Sequence, residues 1–234
     1  MDILAIIPAR GGSKGVPRKN VKLLNGKPLV LYSIEAAKSC ELLNRIILDS
    51  DDDEILAIGD YQGIETFKRP AELAEDHIPI LPVIKNQIRC IWESNHYPEL
   101  TVILQPTNPF RKAITILRTI QKLQNSDADC AVTISKVDQH PYRVRRIEGD
   151  LLKPVIEGVN PYGQRQELPE MYFYNGSVIV ARTDILMEQK DFYGETIVGL
   201  LIDSIESFDI DSILEFEFAD FIAKGLMKGE PHPY

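Results

Sequence analysis

The sequence predicts an α/β protein: a mostly parallel sheet with helices on both faces, three layers in all. Three observations carry this. Short continuous apolar runs such as Ile3 to Ala9 are the pattern of strands buried on both sides. These runs alternate with longer helix-like stretches, as βαβ units require. A closing stretch from about Ser212 to Lys224 sets Leu214, Phe218, Phe221 and Ile222 on one face at helical spacing.

The elements follow in order. After the first strand, Pro28 opens a helix to about Cys40, proline being suited to a first turn. Arg45 to Leu48 is a second strand. The acidic run Asp51-Asp52-Asp53-Glu54 then starts a helix, where carboxylates complement the dipole. A strand near Glu65 to Phe67, a helix over 79 to 95 and a strand at Thr101 to Leu104 continue the alternation. A helix from Ala113 to Gln124 and a strand at Cys130 to Ile134 complete its first part. From Lys136 to about Pro169 the chain is polar and rich in proline. Val144 to Val155 reads there as two short strands around Glu148-Gly149-Asp150. The segment is too short to bury a core of its own, so it is an arm on a single domain spanning 1–234. Strands at Ser177 to Ala181 and Ile197 to Ile202 resume the pattern.

Bulk properties narrow the function. A net charge of -9 argues against general binding to nucleic acid or anionic membranes. No run is long enough to span a bilayer. The N-terminus lacks the basic and apolar regions of a signal peptide. Cys40, Cys90 and Cys130 are odd in number and lie in apolar segments, as expected of reduced core thiols in a cytoplasmic protein. The four histidines have no metal-ligand spacing.

Against this acidic background, the stretch IPARGGSKGVPRKN stands out. From Arg10 to Lys27 there are six cations, Arg10, Lys14, Arg18, Lys19, Lys22 and Lys27, and no acid. The loop follows the carboxyl end of the first strand, where open α/β sheets bind ligands. Gly11, Gly12 and Gly15 permit close approach of the backbone, so peptide N–H groups, Lys and Arg can cradle a polyphosphate. Neither G-x-x-x-x-G-K-[ST] nor G-x-G-x-x-G is present, and a flexible basic turn is the competing reading. Far along the chain, Asp209 and Asp211 are spaced i, i+2. In an extended segment both carboxylates then point to one side, as a magnesium site with nucleotide phosphates requires. The alternative is that one of them caps the helix from Ser212.

The basic stretch resembles the N-terminal signature of the acylneuraminate cytidylyltransferases, the CMP-sialic acid and CMP-nonulosonate synthetases. Arg69-Pro70-Ala71-Glu72-Leu73-Ala74 resembles that family's RPAELA segment. Leu104-Gln105-Pro106-Thr107-Asn108-Pro109-Phe110-Arg111 resembles LQPTSPLR, and Gln164 to Pro169 with Asn175-Gly176 resembles RQ-x-LP…NG. Phe208-Asp209-Ile210-Asp211 resembles the family's IDID segment. Five segments in order cover nearly the whole chain.

The resemblance implies a three-layer Rossmann-like nucleotide-diphospho-sugar transferase fold. It implies an enzyme that joins an acidic nine-carbon 2-keto sugar to CMP, using CTP and magnesium or manganese. It assigns Arg10, Lys19 and Asp211 to catalysis, and Gly12, Ser13, Asn20 and Arg69 to the nucleotide alongside Arg10 and Lys19. Gln105 and Arg165 go to the sugar, Arg165 offering a fork suited to its carboxylate. Asp209 and Asp211 hold the metal. The arm at about 136–170 implies a homodimer in which it reaches over the partner's active site. Three departures bear on this. Ile80 stands where the family often has Ser or Thr, Asn108 replaces a usual Ser, and Phe110 a usual Leu, the last two being changes that can alter the sugar pocket. Two alternatives remain: a synthetase for another 2-keto acid sugar such as KDO, whose enzymes lack GGSKG and KN in the first loop, and a non-catalytic nucleotide-binding regulatory domain.

Overall fold

A computed structural model describes residues 1–93, 97–160, 164 and 168–228. The strands are β1 (Ile3–Pro8), β2 (Leu23–Leu24), β3 (Lys27–Pro28), β4 (Arg45–Ser50), β5 (Glu65–Lys68) and β6 (Leu100–Ile103). They continue with β7 (Cys130–Lys136), β8 (Arg145–Glu148), β9 (Leu151–Pro154), β10 (Tyr172–Arg182) and β11 (Ile197–Leu201). The helices are α1 (Leu29–Lys38), α2 (Asp53–Tyr61), α3 (Ile80–Trp92), α4 (Ala113–Gln124), α5 (Thr183–Glu188) and α6 (Ile213–Lys228).

Among the described residues, seven strands form the main sheet in the order β11-β7-β10-β6-β1-β4-β5. β1 pairs in parallel with β4 and β6, β4 with β5 and β7 with β11. β10 runs antiparallel to both β6 and β7. The strand alternation of β1 shows why both faces are covered. Ile3, Ala5 and Ile7 pack with Val30 and Ile34 of α1 and Ile116 and Ile120 of α4. Leu4 and Ile6 pack on the other face with Ile84 and Ile88 of α3 and Leu186 of α5. The predicted three layers are therefore present, with one antiparallel strand in an otherwise parallel sheet.

Because β1 lies between β4 and β6, the chain reverses direction across the sheet at β1. The loops leaving β1 and β6 diverge there and leave a crevice beyond the carboxyl ends of the strands.

Asp52 caps α2, accepting from Glu54 N at 2.9 Å and Ile55 N at 3.2 Å, so the acidic run serves that helix as expected. β8 and β9 pair as a hairpin, separate from the main sheet, about a turn in which Gly149 has φ 61°.

One element is added and two expectations change. α5 has only six residues, too few for a periodic pattern to stand out. α6 buries Phe216, Ala219, Ile222 and Ala223, while Leu214, Phe218 and Phe221 are exposed. The face selected by large apolar residues is thus mostly the outer one, because the inner face uses alanines to pack closely against Val16, Leu24 and Leu29. Cys40 and Cys130 are buried, and burial pushes the Cys130 thiol up to about 12, but Cys90 is exposed on α3. No helix among the described residues is long and apolar enough to cross a membrane.

Candidate active site

The loop after β1 forms one wall of the crevice. Arg10, Gly12, Ser13, Lys19 and Asn20 line it, facing Arg69, Leu73 to Asp76, Ile78, Ile80 and Val83, with Gln105 to Thr107 from the loop after β6. The cleft encloses about 280 Å³. All seven candidates named above for nucleotide and sugar within the described residues meet here. Arg165 lies outside the described residues.

Glycine placement explains the loop's path. A Cβ on Gly15 would stand 1.8 Å from the backbone oxygen of Asp211, and one on Gly11 would stand 2.7 Å from the Asp52 carboxylate. Only Gly12 faces open space, with nothing within 4 Å of its added Cβ. The three glycines therefore divide. Two let protein segments close on the loop, and one leaves the cleft wall bare. Asn20 Nδ2 donates to the Arg10 carbonyl at 2.8 Å, which holds the loop's two ends together.

The loop's cations also divide. Arg18, in a left-handed conformation at φ 55°, pairs with Asp52 at 2.5 Å and with Glu54, so it faces α2 instead of the cleft. Lys19 is buried. Its Nζ donates to the Ile210 carbonyl at 2.5 Å and lies 3.4 Å from Asp211 Oδ1. This contact spans 192 positions of sequence and joins the basic loop to the acidic pair.

That pair is free of helix capping. Glu215 Oε2 accepts from Asp211 N at 2.8 Å and Ser212 N at 2.7 Å, and Glu215 N donates to Ser212 Oγ at 3.3 Å. Ser212 and Glu215 thus form a capping box, and neither Asp209 nor Asp211 is needed as a cap. Asp209 reaches solvent but is surrounded closely enough that loss of hydration raises its pKa. A side-chain bond from Thr107 opposes this rise, and the charge of Asp211 adds to it. Asp209 and Asp211 feel each other's charge and lie in the segment that Lys19 joins to the cleft, a donor set that fits a divalent cation, though neither lines the cleft itself. Magnesium is commonly held by one or two carboxylates, with phosphates and water completing its shell. Among the described residues no group of three or more His, Cys, Asp or Glu is placed to hold a metal.

The loop after β6 is set by residues that sequence reasoning missed or read differently. Arg111 is buried and donates to the Gln105 carbonyl at 2.6 Å, the Ser177 carbonyl at 2.5 Å and Ser33 Oγ at 3.1 Å. Its burial lowers the guanidinium pKa to about 9. Asn108 is buried too, and its Nδ2 donates to the Phe208 carbonyl at 3.2 Å, while Thr107 O accepts from Ile210 N at 3.0 Å. Phe110 packs on Phe208, ring centroids 6.4 Å apart. Neither Asn108 nor Phe110 lines the cleft. These replacements bind the loop to the acidic segment through Phe208. The Gln105 amide adjoins Gly176, whose φ is 71° and whose added Cβ would lie 3.6 Å from Gln105 Nε2.

Arg69 is held by Asp49, also buried, through Nε at 2.5 Å and through Nη2. Among the described residues Asp49 Oδ2 has no partner, and burial raises the carboxyl to about 6 despite the guanidinium. Nothing in the local sequence of Asp49 distinguishes it from its acidic neighbours. Its partner lies just beyond the following strand, 20 positions on.

A family model described as cytidylyltransferase matches residues 4–194. The chain belongs to the cytidylyltransferase family. Among similar proteins, the N-acylneuraminate cytidylyltransferase of Escherichia coli is 30% identical over 93% of this chain and 51% of its own length. This chain thus spans about half of that relative. The CMP-N,N'-diacetyllegionaminic acid synthase of Legionella pneumophila is 31% identical over 94% of this chain and 95% of its own. A CMP:2-keto-3-deoxy-manno-octonic acid synthetase complexed with CTP superposes with a TM-score of 0.73 at 14% identity, covering 97% of this cytidylyltransferase and all of that chain. That likeness establishes the shared Rossmann-like fold.

Proposed function

We propose that this cytidylyltransferase activates an acidic nine-carbon 2-keto sugar, of the sialic or legionaminic type, with CTP. The sugar's anomeric oxygen forms a bond to the α-phosphorus while the bond to pyrophosphate breaks. The observation that carries this reading is the contact of Lys19, which lines the cleft, with Ile210 and Asp211, which brings the basic loop against the acidic segment. The names of the N-acylneuraminate and diacetyllegionaminate relatives support the choice of sugar.

Each residue then has a task. Arg10, Ser13, Lys19 and the bare backbone at Gly12 take the triphosphate, and Lys19 neutralises charge that develops on it. Arg69, already charge-balanced by Asp49, supplies hydrogen-bond donors to the uncharged part of the nucleotide. Asn20 fixes the loop. Gln105 orients the sugar, and Arg165 is assigned its carboxylate. Magnesium or manganese, held by Asp209 and Asp211, would supply charge neutralisation on the phosphate oxygens. Nucleotidyl transfer depends mainly on such positioning.

The whole chain acts as one domain, cytoplasmic and homodimeric, with the arm at 136–170 reaching over the partner's site. Exposed Ile147, Leu151 and Leu152 on the hairpin, with Tyr172, Phe173 and Tyr174 at its root, support a covering partner. They are not core aromatics.

The test is pyrophosphate release from CTP and magnesium with a panel of sialic, legionaminic, pseudaminic and KDO acids. Release with a nine-carbon acid is expected. Release with KDO alone would move the assignment to the eight-carbon sugar, and none with any acid despite CTP binding would favour the regulatory domain.

A further inference from the structure

The cleft that faces phosphate contains a carboxylate of its own. Asp76 lies on the wall opposite the basic loop. Its Oδ1 accepts from Arg10 Nη1 at 2.8 Å, and its Oδ2 lies 3.0 Å from Lys14 Nζ. Among the described residues, Arg10 and Lys14 have no other ion-pair partner. The Lys14 and Arg10 contacts hold the Asp76 carboxyl below its usual range, so it stays charged. One residue therefore spans the mouth and occupies both outer cations of the loop.

We propose that Asp76 is a positioning residue for product release: a built-in counter-ion that competes with the leaving pyrophosphate for Arg10 and Lys14. This rests on the nucleotide reading above. An incoming triphosphate must displace Asp76 to reach these cations. After transfer, pyrophosphate has lost its link to the nucleoside, and the tethered carboxylate is at hand to take the cations back. All three side chains are partly exposed, so exchange needs no rearrangement of the core. The arrangement gives up affinity for the phosphates in return for faster departure of the product.

The experiment is calorimetric titration of inorganic pyrophosphate, and separately CTP, into the full chain at low salt. Asp76→Asn is expected to bind pyrophosphate about tenfold more tightly, the scale of two exposed ion pairs, and to show an equal fall in its product-inhibition constant. Asp76→Glu should stay near wild type, and the gain should shrink at high salt. Structural damage would weaken binding, so the sign separates the two causes. Should the amide variant fail to fold, Asp76→Ser gives the same reading. Unchanged or weaker pyrophosphate binding by a folded Asp76→Asn protein overturns the proposal. Failure of the nucleotide reading shows separately, as wild-type protein that binds no CTP.

Discussion

Gly15→Ala is the smallest change that tests how the site is assembled. The backbone of Gly15 is not in the left-handed region, so alanine meets no conformational penalty there. The obstacle is steric. The new methyl carbon would stand 1.8 Å from Asp211 O, against the 3.0 Å below which real contacts essentially never fall. The two segments must part by about 1.2 Å, the difference between those distances. The obstructing atom is backbone, so no rotamer change relieves it. Lys19, four residues on, then loses its grip on Ile210 and Asp211. Overpacking of this kind costs about 1–3 kcal/mol, which in a chain of this length lowers Tm by roughly 2–12 °C. A displacement near 1 Å at a transfer site costs about 100-fold in kcat. Thermal melting and steady-state pyrophosphate release measure the two effects. Gly12→Ala is the control: with open space about it, Tm should hold while KM for CTP rises. A Gly15→Ala protein with wild-type Tm and kcat would refute the account of how the basic loop and acidic segment meet.

Arg18→Ala should leave KM for CTP within about twofold, because its guanidinium faces α2, whereas Lys19→Ala should lower kcat/KM by about 100-fold or more. Arg111→Ala leaves two buried acceptors and a half-buried one without their donor and should cost about 3 kcal/mol by chemical denaturation, together with loss of activity through Gln105. For Asp49, the folded pKa of about 6 lies above the ordinary 3.8. The stability it contributes is full below pH 3.8 and is lost as pH rises through 6. Wild type should therefore lose up to about 3 kcal/mol relative to Asp49→Asn between pH 4 and 7, read by denaturant unfolding at each pH. Ile147→Asp with Leu152→Asp should yield monomers in sedimentation velocity if the arm is the dimer contact.

The sheet was legible because its strands are buried on both sides and so read as continuous apolar runs. α2 was legible through its acidic start. The site was legible as residues but not as a geometry. Arg10, Lys19, Gln105 and the two aspartates could be named from their segments, yet spacing could not rank Lys14, Arg18 and Lys19. That ranking depends on which carboxylate each one meets: Asp76, Asp52 or Asp211, all remote in sequence. Asp49, Asp76 and Arg111 went unassigned for the same reason. Their partners come from other elements, and no local pattern marks them. On α6, large side chains drew the eye to the wrong face because alanine leaves little trace in an apolar pattern.

In the proposed function, Asp211 and Lys19 meet to serve phosphate transfer. The most direct test is Asp211→Ala, assayed for turnover with CTP, magnesium and the accepted sugar, and for CTP binding without metal. Turnover should fall about 1000-fold or more, with CTP affinity within about tenfold of wild type. Turnover near the wild-type rate would contradict the proposal.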